Sequence, residues 1–195
     1  MDKEKEKMMN GKLYDANYNK KLIAERAKCK KACHEFNTLS PDETRQREGI
    51  IRSLFGKTKG SFLIEQPFYC DYGYNIEIGE NFYSNVNCVI LDGAKVTFGD
   101  NVFIAPNCGF YTAGHPLDVL QRNQGLEYAL PITVGDNVWI GAQVAVLPGV
   151  TIGNNTVIGA GSVVNRDIHS NVISAGNPCR VIRRITEKDK DKYGK

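Results

Sequence analysis

The apolar positions of this chain follow two different periods. Within the first 60 residues, Leu22, Ile23, Arg26, Ala27, Cys33 and Phe36 make one face at spacings of three and four among strong helix formers. That spacing predicts an amphipathic helix. Ser40-Pro41-Asp42-Glu43 then predicts the start of a second helix. Ser40 suits the cap, Pro41 the first helical position, and Glu43 the third position of a capping box. Ile50, Ile51, Leu54 and Phe55 form its buried stripe, and Gly56 marks its end. The two predict a helical hairpin with one apolar side, which must pack on something else.

From about Asn75 the period becomes six. Val134, Ile140, Val146, Ile152, Ile158 and Val164 recur without a slip, followed by Gly135, Gly141, Leu147, Gly153, Gly159 and Asn165. Four places after each aliphatic come Val138, Val144, Val150, Thr156, Ser162 and Ile168. The same phase appears upstream at Ile78-Gly79 with Phe82, Phe98-Gly99 with Val102, and Ile104-Ala105 with Cys108. A six-residue repeat fits neither the amphipathic helix nor the alternating strand. It fits a parallel β-helix, in which each unit gives one short strand and one corner, and three units close a triangular coil. The aliphatic points inward, and the small residue after it occupies a turn where a Cβ would crowd the backbone.

Two interruptions break the repeat. Ile78 and Phe98 lie twenty residues apart, so about two residues around Leu91-Asp92-Gly93 bulge from a coil. The segment 112–131 has no hexapeptide character, is polar and ends in proline, and is predicted to project as a loop. The predicted organisation is a helical segment over 1–60, a β-helix over 61–185 and a charged, solvated tail over 186–195.

Composition narrows the function classes. Nineteen glycines against seven prolines, set between β-branched residues, belong to a repeat rather than to a disordered chain. A formal charge of +3 is too weak to argue for nucleic acid, so an anion site must come from a local cluster. No stretch reaches the roughly 18 to 20 apolar residues of a spanning helix, and Met1-Asp2-Lys3-Glu4-Lys5-Glu6-Lys7 lacks the features of a secretory signal. The six cysteines show no C-x-x-C pair and read as reduced thiols of a cytoplasmic protein. Of three histidines, His34 and His169 read as surface or packing residues. His115, in Thr112-Ala113-Gly114-His115-Pro116, stands where the coil breaks into the loop and is the candidate general base.

At these residues the chain resembles a known family. Asp71-Tyr72-Gly73-Tyr74-Asn75, Phe82-Tyr83-Ser84-Asn85, Ile104-Ala105-Pro106-Asn107, the Gly-His-Pro motif, Val138-Trp139-Ile140-Gly141 and Ala175-Gly176-Asn177-Pro178 look like the maltose and galactoside O-acetyltransferases. Maltose acetyltransferases are the nearer match, because Asp71 stands where galactoside enzymes tend to carry Ser. The resemblance covers nearly the whole chain. It implies a left-handed β-helix assembled as a homotrimer, with active sites between subunits, acetyl-CoA as co-substrate and no metal.

In that picture His115 takes the proton from a hydroxyl of maltose, glucose or a related sugar, which attacks the thioester directly. Asn85 lies by the reacting centre, serving both catalysis and coenzyme. Asp71, Tyr83 and Asp92 border the acceptor pocket, with Asn17, Tyr14 and Asp15 as candidates to cover it, while Glu127 reads as solvated. Trp139 points outward as a ligand wall or an interface residue. Ala142 and Ala160 offer backbone to the pantetheine arm, and Asn165, Arg166, Arg180 and Arg183 offer phosphate-binding groups. The alternatives are a xenobiotic (antibiotic) O-acetyltransferase, against which the helical N-terminus argues, and a non-catalytic β-helix scaffold, which would have no reason to break its period at His115. Serine acetylation would call for a larger helical domain, and a zinc carbonic anhydrase for three histidine ligands.

Overall fold

The computed structural model describes residues 2–191. Three parallel faces close a prism. One face stacks Lys57–Thr58, Ile76–Ile78, Val96–Phe98, Ile132–Val134 and Thr151–Ile152. The second stacks Phe62–Ile64, Phe82–Ser84, Phe103–Ile104, Trp139–Ile140, Val157–Ile158 and Val172–Ala175, and Arg180–Arg184 returns antiparallel on its edge. The third stacks Phe68–Cys70, Cys88–Leu91, Gly109–Tyr111, Ala145–Val146 and Val163–Val164. The mainly β architecture and the phase both follow the repeat. The six aliphatics from Val134 to Val164 are all buried in the prism, as are Val138, Val144, Val150, Thr156, Ser162 and Ile168. Each such aliphatic contributes roughly 1.5–3 kcal/mol by leaving water.

The corners differ in detail from expectation. Where a glycine follows the aliphatic it is a point of close approach between coils: a Cβ on Gly141 would meet Ala160 N at 2.6 Å. The left-handed backbone falls two residues later, at Asn81, Asn101, Asn137 and Asn155 with φ between +53° and +56°. Asparagine tolerates that region better than other side chains. Its amide also has a use there, because Asn81 donates to Asn101, Asn101 to Asn137, Asn137 to Asn155 and Asn155 to Asn171, at 3.0–3.1 Å. A ladder of amides thus runs up one corner.

The first coil begins at Lys57, earlier than the six-residue period shows. Its interior holds Ile64, Phe68 and Cys70, and it receives the helical hairpin. Helix α1 (Lys3–Met9) forms in the charged leader, capped by Asp2, where no helix was expected. Helix α2 (Lys20–Thr38) buries Leu22, Cys29, Cys33 and Phe36, whereas Ile23 and Ala27 face solvent. Helix α3 (Thr44–Leu54) starts after the predicted cap. Glu43 still reaches back to Ser40 N at 2.7 Å, but the chain turns once before the helix begins. At the other end, Arg183 grips Asp189 and Glu187–Lys190 forms a 3-10 turn, so this stretch of the tail does not fray. Residues 192–195 of the predicted tail lie outside the described residues. No helix among the described residues is long and apolar enough to cross a membrane.

The predicted loop is an arm with its own structure. Ala113–Gly114 and Leu126–Ala129 pair antiparallel around the short helix α4 (Val119–Asn123), and Tyr14–Asp15 adds a third strand. Beneath it, Met8, Tyr14, Ala16, Leu22, Tyr72, Ala94 and Ala129 form a second small core. The residues at Asp92-Gly93-Ala94 do not bulge into solvent, because the arm and the N-terminal strand cover them.

Candidate active site

The antiparallel pairing of Tyr14–Asp15 with Leu126–Ala129 decides which side chains meet His115. His115 leaves the prism half exposed, and its Nδ1 lies 3.0 Å from Leu126 O. A carbonyl only accepts, so Nδ1 carries the proton in that bond and the neutral ring presents a bare Nε2. Glu127 Oε1 stands 3.9 Å from that Nε2, and Glu127 Oε2 accepts from Tyr14 OH at 3.2 Å. Glu127 is therefore not the solvated loop residue expected. The strand pairing places it beside His115 and holds it there through Tyr14.

Asp71 and Tyr72 complete this group. Arg26 of α2 donates to Tyr72 OH at 2.7 Å and lies close enough to Asp71 and Glu127 to feel both carboxylates. Asp71 is half-buried, and desolvation pushes its carboxyl up against the opposing pull of Arg26 and Lys30. Its carboxylate accepts no hydrogen bond among the described residues, so it is available to a ligand. Asp92, predicted to border the acceptor pocket, is set back from the surface. It is 0% exposed, and Oδ1 accepts from the N–H groups of Asp71 and Tyr72 at 3.0 and 2.8 Å. It holds the Asp71-Tyr72 backbone from behind, with burial raising its pKa to about 6 and Asp71 adding to the rise. Asn17 is likewise committed. Its amide donates to Gly125 O at 2.8 Å, fastening the N-terminal segment to the arm.

The remaining predicted residues lie elsewhere on the prism. Strand register stacks Ser84 on Ile104, Ile104 on Ile140 and Ile140 on Ile158. The residues that follow, Asn85, Ala105, Gly141-Ala142 and Gly159-Ala160, form one corner column. Coils stack at about 4.8 Å, so the column from Asn85 to Ala160 runs about 15 Å. Asn85 Oδ1 accepts from Val86 N at 2.8 Å, which leaves Nδ2 to donate outward. Ala160 is exposed, and its N–H and C=O find no partner among the described residues. Beside the column, register aligns Leu63, Tyr83, Phe103 and Trp139 on the outer face. Trp139 is 56% exposed, which bears out its outward direction.

Between Asn85 and Asp92 runs the strand Cys88–Leu91. Seven residues at about 3.3 Å each would span at most about 23 Å, and the corner at Asn87 shortens that, so the two ends lie about the width of one face apart. The candidate residues thus fall into two groups, or candidate half-sites, with His115, Glu127, Tyr14 and Asp71 at one corner and Asn85, Tyr83, Trp139, Ala142 and Ala160 at another. At the prism end, Arg180 lies 3.4 Å from Asn165 Oδ1, and Arg166 is exposed beside it. Arg183 does not join them, because its guanidinium forks onto Asp189 at 2.6 and 2.8 Å.

Comparison with known proteins identifies this arrangement. Residues 7–60 match the maltose acetyltransferase hexapeptide capping motif, and 131–166 match six bacterial transferase hexapeptide repeats. The Saccharomyces cerevisiae acetyltransferase-type chain YJL218W is 62% identical over 184 residues, covering 94% of each chain. A maltose O-acetyltransferase from Clostridium difficile 630 superposes with a TM-score of 0.91 at 54% identity, over 94% of this chain and 98% of that one. A galactoside acetyltransferase in complex with coenzyme A superposes with a TM-score of 0.94 at 46% identity, over 100% and 97%. A left-handed parallel β-helix bearing a helical cap and a projecting arm, this chain belongs to the maltose and galactoside O-acetyltransferase family of hexapeptide-repeat enzymes.

Proposed function

We propose that the chain transfers acetyl from acetyl-CoA to a hydroxyl of maltose, glucose or a related sugar, with His115 as general base. The observation that carries this reading is the Nδ1 bond to Leu126 O, which in the neutral ring leaves Nε2 free to accept a proton, with Glu127 Oε1 3.9 Å from it. A sugar hydroxyl donates to Nε2 while its oxygen attacks the thioester carbonyl. The tetrahedral adduct collapses, the C–S bond breaks, and the departing thiolate recovers the proton from the imidazolium. Asn85 Nδ2 is suited to the oxyanion. A positioned base supplies typically 10²–10⁴-fold, so alignment of the two substrates supplies much of the rest.

Acetyl-CoA fits the corner column. Gly141 lacks the Cβ that would crowd Ala160 N, and the free backbone of Ala160 matches the amides of a pantetheine arm. Arg166 and Arg180, with Asn165, offer charge for the phosphates at the prism end. The coenzyme A bound by the galactoside acetyltransferase supports coenzyme A as the ligand.

Because the half-sites lie apart in one chain, the complete site requires a second copy. A homotrimer packed through Leu63, Tyr83, Phe103 and Trp139 brings the Asn85 column of one subunit against the His115 corner of the next. Thiol release from acetyl-CoA tests the reading, using maltose, glucose, galactosides, serine and chloramphenicol with wild type and His115→Ala. Turnover on glucose or maltose that falls by two or more orders of magnitude in the variant supports it. Turnover on the antibiotic alone moves the chain to xenobiotic acetylation, and equal rates remove His115 from the chemistry.

A further inference from the structure

Three thiols converge where α2 meets the first coil. Cys29 and Cys33 lie four residues apart on α2 and so share its inner face, and Cys70 ends the strand Phe68–Cys70 beneath them. Cys29 Sγ is 3.4 Å from Cys70 Sγ, Cys33 Sγ is 3.8 Å from it, and all three sulfurs lie within 4.8 Å of one another. All three are buried. The acetyl-transfer chemistry uses none of them.

We propose that Cys29, Cys33 and Cys70 form a trigonal thiolate site for a soft monovalent cation of the Cu(I) type. A metal–thiolate bond of about 2.3 Å places three sulfurs in a plane around an ion about 4 Å apart. The sulfurs here are near that spacing without any rearrangement of backbone. A disulfide would use two thiols and leave the third idle, whereas one cation uses all three. Structural zinc takes four ligands, and no imidazole, carboxylate or further thiol among the described residues joins this cluster. Thiolate ligands favour soft ions, and with three sulfurs rather than the four of a structural zinc site the fit is to Cu(I).

Binding forms three Cu–S bonds and releases three protons, leaving a site of net charge −2. The Asp71 and Asp92 carboxylates lie close enough to the thiols to oppose that charge, and Arg26 and Lys30, which act on Asp71, offset part of theirs. A cavity of about 400 Å³, lined by Lys5, Glu25, Lys28, Leu54 and Tyr72, reaches Cys29 and offers an entry path. The ion would pin α2 to the prism at the residue before Asp71.

The test titrates the reduced full-length protein with Cu(I) under anaerobic conditions against a chromophoric Cu(I) chelator. Wild type is expected to withhold one equivalent per chain and to melt at a higher temperature when loaded. Cys29→Ser, Cys33→Ser and Cys70→Ser should each weaken retention at least 100-fold, while a combined Cys88→Ser/Cys108→Ser/Cys179→Ser variant keeps it. X-ray absorption of loaded wild type reads the site without any substitution, with three sulfur neighbours expected. Retention lost with the Cys88/Cys108/Cys179 set, a two-sulfur shell, or a preference for Zn²⁺ over Cu(I) would each overturn the proposal.

Discussion

Glu127→Gln isolates one electrostatic contribution at the proposed base. The substitution removes the charge while keeping an amide oxygen that still accepts from Tyr14 OH, so the strand pairing of the arm is preserved. A unit charge 3.9 Å from the imidazolium formed at His115 is worth about 4 kcal/mol at an effective dielectric of 20 and about 1 kcal/mol in bulk water. The His115 side chain is 50% accessible and that of Glu127 22%, so solvent takes much of the larger figure. About 1–2 kcal/mol remains, which corresponds to a loss of roughly 5- to 30-fold in kcat/KM. The charge forms only as the proton arrives, so the loss belongs in kcat, with KM for acetyl-CoA unchanged. Steady-state thiol release at saturating acetyl-CoA measures it. A variant within twofold of wild type would show that Glu127 does not act on the base, and a rise in KM alone would make it a binding residue.

Three further outcomes follow from the structure. Folding raises the Asp92 pKa from 3.8 to about 6, so the folded chain holds the proton more tightly than the unfolded one. Wild type should therefore lose about 3 kcal/mol through this group as pH climbs from about 4 to 6, and the slope should flatten in Asp92→Asn when urea midpoints are compared. Equal slopes would refute that burial. Asn137→Ala places a Cβ without a polar arm at φ +56° and cuts two rungs of the amide ladder, for a loss of about 1–2 kcal/mol in thermal unfolding. Asn137→Gly relieves the backbone cost and should lose less; the reverse order would mean that the backbone conformation is not what the asparagine serves. Wild type should run as the proposed trimer and Trp139→Glu as smaller species by size-exclusion with light scattering, and an unchanged mass in the variant would place Trp139 outside the interface.

The interior of this protein was legible because its determinants are local. A coil closes every three hexapeptides, so the identity of Val134, Ile140 or Val146 fixes an inward direction whatever the rest of the chain does. The Asn at the third place after many of these aliphatics was an unread signal in the same period, marking both the left-handed corner and the ladder. Of the helical pair Cys29 and Cys33, only Cys33 stood on the predicted apolar face. Their sequence hides Cys70, which reaches them only when α2 lies on the first coil.

The site was legible in part. His115 announced itself by standing where the period fails, and its loop was found, but a break in a repeat does not say how the extra residues fold. Sequence determined the coil, its phase and the place of its interruption, since short-range sterics and burial impose them. Tertiary structure alone decided that Tyr14 pairs across more than a hundred residues with Glu127, turning an expected solvated acid into a neighbour of His115. It also sank Asp92 behind the wall, tied Arg183 to Asp189, and set Asn85 a strand's length from His115. Each depends on which distant segments share a surface, and charge and hydrogen bonding reach only as far as that packing brings them.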